Sequence, residues 1–147
     1  MRRNALALAA SLVSGCCLGD FASIPDPDEN PPPGDERPIA MAREHARAEV
    51  PRLLAVLDAG AGPACEVAAS AIDAAPATVV HGQLGGAIAQ QVRLALGGCV
   101  DSAWISVVWS DHAWRAVAIG LLDVAGTVIA RSRTFAFEEA PAPPAEP

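Results

Sequence analysis

Trp109-Ser110-Asp111-His112-Ala113-Trp114 is the one place in this chain where an acid, an imidazole and two indoles fall together. An adjacent carboxylate and imidazole can move protons, which is the chemistry of a hydrolase. Aromatic faces beside polar groups also bind sugars and protein surfaces. The same six residues equally suit a hairpin tip clasped by a tryptophan pair, because Asp and His both tolerate tight turns. The structural reading is preferred; Trp109, Asp111, His112 and Trp114 are kept as the possible binding residues. A metal would need His45, His81 and His112 to converge with an acid. No two of them are spaced as HxH or HxxxH, so no metal site is assigned. His45 is read as an exposed helix residue. Gly82-Gln83-Leu84-Gly85-Gly86 matches no phosphate-binding loop and reads as a turn. With no GxSxG and no CxxC, neither a serine nucleophile nor thioredoxin-type exchange is expected. No catalytic residue and no cofactor are assigned.

The elements that would carry these residues can be read in outline. Trp109 and Trp114 face each other if "AWISVVW" and "WRAVAIGLL" pair around a four-residue loop, Ser110 to Ala113. That register sets Val107 opposite Ala116 and Ile105 opposite Ala118. Trp104 lies an odd number of residues from Trp109 and so points to the other face. Asp123-Val124-Ala125-Gly126 predicts a type I turn with glycine in the left-handed position. "TVIARSRTFAF" then returns as the final strand. Upstream, Val92, Leu94 and Leu96 alternate, as do Cys65, Val67, Ala69 and Ala71, and Thr78 to Leu84 is rich in strand formers. By contrast Ile39, Ala42, Ala46, Val50, Leu53 and Leu57 fall at helical steps ending near Gly60, with Pro51 expected to kink the helix or to start a second one. The fold class expected is mainly β: an antiparallel sandwich-like domain preceded by one helix, with α+β as the alternative.

The first residues carry a different kind of signal. Met1-Arg2-Arg3 is basic, Ala5 to Val13 is apolar apart from Ser11, and Val13-Ser14-Gly15-Cys16 places two small residues before a cysteine. The apolar run is too short to span a bilayer and has the plan of a secretory signal. It resembles the lipobox of bacterial lipoproteins. That resemblance implies a diacylglyceryl group on the Cys16 sulfur, cleavage before Cys16 and acylation of the new N-terminus, palmitate or a similar chain. Cys17, not Asp, follows the modified position, which by the same analogy favours the outer membrane over the inner one. An exported chain sits where disulfides persist, so Cys65 and Cys99 are expected to pair rather than remain buried thiols. Cys17 has no partner within the chain and could pair between molecules.

Between anchor and domain, Asp20 to Pro38 holds six prolines and six acids. Such a segment buries too little apolar surface to fold and favours an extended form. The expected plan is a signal peptide over 1–15, a lipidated N-terminus and tether over 16–38, one globular domain over 39–137, and a proline-rich tail over 138–147. The chain has 17 acids against 10 basic residues, all of them arginine, for a net charge of −7. No basic run is present, which argues against nucleic acid as a partner. The expected role is a lipid-anchored cell-envelope binding or assembly module, held in the membrane by its N-terminal lipid and facing an envelope protein or glycan in the periplasm. The alternatives are an envelope-acting hydrolase using Asp111 and His112, and a purely structural envelope subunit.

Overall fold

The computed structural model describes residues 30–58, 65–133 and 137–142. The signal-like segment, Cys16, Cys17 and most of the acidic tether lie outside these residues. The chain is mainly β, as the sequence predicts, with an N-terminal helix. The order is α1 (Arg37–Asp58), α2 (Ala69–Ala74), β1 (Ala77–Leu84), β2 (Ala87–Ala95), β3 (Ser102–Ser110), β4 (Ala113–Leu122), β5 (Val128–Arg131) and β6 (Phe137–Glu139). All six strands form one antiparallel sheet in the order β5-β4-β3-β2-β1-β6. Where a sandwich would place a second sheet, α1 lies instead, chiefly across β3 and β4. Among the described residues no helix is long and apolar enough to cross a membrane.

The helix follows a step of four. Ala42, Ala46 and Val50 have no exposed surface and Leu54 is also buried, whereas Leu53 is half-buried and Leu57 is 38% exposed. A step of four lays the small residues along one ridge, so the helix can sit close on the sheet. Neither a break nor a second helix occurs at Pro51: α1 is continuous from Arg37 to Asp58. Proline removes the bond to the carbonyl of Arg47, four residues back, but both residues are exposed and water can take that carbonyl. The core beneath α1 is built from Val92, Leu94, Ala103, Ile105, Val107, Trp114, Ile119 and Leu121.

Three expectations need correction. Residues 69–74 are the short helix α2, not a strand, with Ile72 as their buried anchor. Alternating alanines carry little strand signal, and alanine is the best helix former. The hairpin at Asp111 has a two-residue turn, because Ser110 and Ala113 are paired; Trp109 still faces Trp114 and Val107 still faces Ala116. Beyond them a bulge shifts the register, so Ile105 faces Ile119 and Ala118 faces Ser106. The bulge changes the parity of β4, which lets Trp114, Ala116, Ile119 and Leu121 all face the helix. Finally, "TVIARSRTFAF" is not one strand. It supplies β5 at one edge of the sheet and β6 at the other.

That split fixes the shape of the sheet. Six peptide steps separate Arg131 from Phe137 and can span at most about 21 Å. In a flat sheet the outer strands would lie about 24 Å apart. Arg131 shares a cross-strand row with Thr78, while Phe137 pairs with Leu84, a further stagger of about 20 Å along the strands. A flat sheet would therefore need about 31 Å between the two residues, and the sheet is curled. β6 also carries Glu138 and Glu139, which extends the folded part past residue 137. Ala140 donates one further bond to His81 O, and Pro141 then ends the ladder.

Candidate functional site

The hairpin tip divides into a buried base and an exposed end. Trp114 is 4% exposed, and its Nε1 donates to Asp35 Oδ2 at 2.9 Å. Trp109 meets it edge-to-face, ring centroids 5.3 Å apart. Asp35 belongs by sequence to the tether, yet its side chain is buried and holds Arg37 through the guanidinium and the backbone N–H. The Arg37 guanidinium, with its backbone N–H and the Trp114 indole, keeps the Asp35 carboxyl well below the usual carboxylate range, against the opposing effect of desolvation. Trp114 is thus a structural latch between the helix entrance and the core, not an open aromatic platform.

Beyond the latch, Asp111 and His112 occupy left-handed backbone, with φ of 51° and 58°. Those values define the type I′ turn that matches strand twist, here built without glycine. Asp111 is almost fully exposed and lies 4.0 Å from Arg115. With Trp109 and Ser110 the pair borders an open hollow of about 310 Å³. Such a tip can contact a partner. Among the described residues the hollow is open to solvent.

The other histidines are far apart in the fold: His81 is exposed on β1, and His45 is half-buried on α1 rather than exposed, with its Nε2 buried and unpaired. Among the described residues no three His, Cys, Asp or Glu side chains gather as a metal site would require. Cys65 and Cys99 form a disulfide, Cα–Cα 5.9 Å, tying the segment before α2 to the β2–β3 connection.

A second constellation escapes a residue-by-residue reading because four strands contribute to it. Arg93, Trp104, Gly120 and Arg131 stand side by side in one cross-strand row on the sheet face away from α1. The Arg93 guanidinium lies 4.1 Å from the centre of the Trp104 ring, and its Nε donates to Gln91 Oε1 at 2.9 Å. Ser132 donates its N–H to Ile119 O and accepts Ile119 N–H on its hydroxyl at 3.0 Å, fixing the backbone between Arg131 and Arg133. Between these walls is a cleft of about 160 Å³ over Ser106, Ala118 and Gly120, bordered also by Leu122 and Val128.

Charge singles out this cleft. On the helix side Arg37 pairs with Asp35, Arg47 with Asp73 and Arg52 with Glu49, and Arg43 donates to Ile72 O at 2.6 Å. Arg115 faces Asp111 at the tip. Among the described residues, Arg93, Arg131 and Arg133 have neither a carboxylate nor a backbone carbonyl partner, and all three stand at the open face. The odd parity of Trp104 against Trp109 was the one signal in the sequence that pointed to this face. No family model, curated protein or solved structure matches the chain.

Proposed function

We propose that this chain is a lipid-anchored envelope protein whose globular domain binds a partner rather than catalysing a reaction. The observation that carries the reading is the sheet face opposite α1, where three arginines without carboxylate partners among the described residues surround Trp104 in an otherwise acidic chain. Aromatic and arginine side chains are the types that most often dominate binding surfaces. The lipobox-like Val13-Ser14-Gly15-Cys16 supports export and anchoring through Cys16. The Cys65–Cys99 bridge is compatible with an oxidising compartment. In this reading the segment ahead of Asp35 spaces the domain from the bilayer, in the outer membrane if the host has two, and the partner is an envelope protein or glycan.

The test is affinity capture of the full chain from its native envelope, with mass spectrometry of both the captured partner and the bait's own N-terminus. The expected result is an acylated Cys16 terminus and a partner that no longer binds after Trp104→Ala. A bait that keeps Met1 without an acyl group refutes the anchoring. A partner retained by Trp104→Ala but released when Asp111 and His112 are replaced moves the site to the hairpin tip.

A further inference from the structure

The open-face cleft differs from an ordinary basic patch in having an apolar part as well as a charged rim. Its floor is Ser106, Ala118 and Gly120, its ends are Leu122 and Val128, and Arg131 and Arg133 border it opposite the Arg93–Trp104 stack. Arginine forks match planar oxyanions. A phosphate is polar all round and leaves the methyl and methylene surface of Ala118, Leu122 and Val128 unused. A carboxylate on a short hydrocarbon stem uses both parts.

We propose that this cleft binds carboxylate side chains of an acidic polypeptide partner, a statement that rests on the binding-module reading above. The acid enters between Trp104 and Arg131, its methylenes over Gly120 and Ala118. Its oxygens take N–H groups from the Arg131 fork, while Arg93, stacked on Trp104 and bonded through Nε to Gln91, adds positive charge beside the cleft. Arg133 and its exposed neighbour Arg131 lie two residues apart, so a second acidic residue of an extended partner can be met by Arg133.

Gly120 offers a clean way to test this. Its backbone does not need glycine: a Cβ there would meet nothing closer than Ala130 O at 4.0 Å, and φ lies outside the left-handed region. Gly120→Val therefore fills the cleft while leaving the strand intact. The assay is titration of the isotopically labelled full chain with an end-capped hexaglutamate peptide, following the backbone amide, tryptophan indole and arginine Nε–H signals by NMR. The expected result is saturable shifts confined to Arg93, Trp104, Gly120 and Arg131, with Kd on the order of 1 mM at low salt, weakened at least tenfold by Gly120→Val and by Arg131→Glu with Arg133→Glu. Unchanged signals from Trp109 and Trp114 report that each variant is folded. Absent saturation overturns the proposal, as do shifts spread equally over Arg37 and Arg52, or binding that survives Gly120→Val. Equally strong binding of inorganic phosphate overturns the choice of a carboxylate on a stem. Binding that appears only after Asp20, Asp26, Asp28 and Glu29 are made neutral assigns the cleft to the chain's own acidic segment and overturns the external partner. If hexaglutamate fails while envelope capture is still abolished by Gly120→Val, the carboxylate assignment falls and the binding-module reading stands.

Discussion

Replacing Cys65 and Cys99 together by alanine should cost this domain a large share of its stability. The bridge joins residues 34 apart in sequence, and the loop it closes contains α2, β1 and β2. Constraining a loop of that length in the unfolded chain is worth about 3–4 kcal/mol. Typical domains have only about 5–15 kcal/mol in total. The native side has little in reserve to offset the loss. α2 is six residues long, too short to persist unaided, and it is held by buried Ile72, by the Arg43 bond to Ile72 O and by the Arg47–Asp73 pair at 3.3 Å. Urea unfolding of the full chain reads the effect. At a slope of about 1–3 kcal/mol/M, the midpoint should fall by roughly 1–4 M, with the slope rising because the uncrosslinked chain exposes more surface when unfolded. A fall of less than about 0.5 M would refute the reasoning: it would mean that the unfolded chain already holds the two ends together, or that the bridge does not form.

Three further outcomes follow from particular interactions. Exchanging Asp111-His112 for Asn-Gly should raise stability by about 1 kcal/mol, because those residues adopt left-handed backbone more readily and the Asp111–Arg115 pair that disappears is solvent-exposed and weak; a lower melting temperature would count against strain at the tip. Gly82→Val should detach β6, since a Cβ there would run into Glu138 O and the Phe137 ring; amide exchange should rise at Glu138, Glu139 and Ala140 while β3 and β4 stay protected. Asp35 ionises at lower pH in the folded protein than its ordinary value of 3.8. Its contribution is therefore complete above that value and is lost as pH falls towards the folded one. The stability gap between the native chain and Asp35→Asn should narrow as pH drops from about 5 to about 2, and a gap that widens there would exclude the latch.

Local patterns were legible where one element decides them. The Ala42, Ala46 and Val50 stripe, the Asp123 to Gly126 turn and the facing of Trp109 and Trp114 all depend on neighbours in sequence. Asp123 even shows why: its Oδ1 accepts the N–H of both Ala125 and Thr127, and Gly126 takes the left-handed conformation at φ 78°. What was illegible depends on distant partners. The alternation through Arg131-Ser132-Arg133 reads as one strand, and only the curl of a six-stranded sheet sends its two halves to opposite edges. The bulge after Ser106 has no residue signature, since a glycine-free "AVAI" run carries it. Asp35 looks like one more tether acid until Trp114, 79 residues later, is seen to donate to it. The arginine cleft is hidden for the same reason: its members are spread from residue 93 to residue 133 and meet only through strand register.

The link between Asp35 and Trp114 also decides how the domain bears load. Any pull delivered through the N-terminal segment arrives at Asp35, just ahead of α1, and the first bonds to resist it are those to Arg37 and the Trp114 indole. Because that indole is seated under the helix against β3, tension spreads into the centre of the sheet instead of peeling the helix from its free end. A drag on the leading end thus meets the packed core before it reaches the helix.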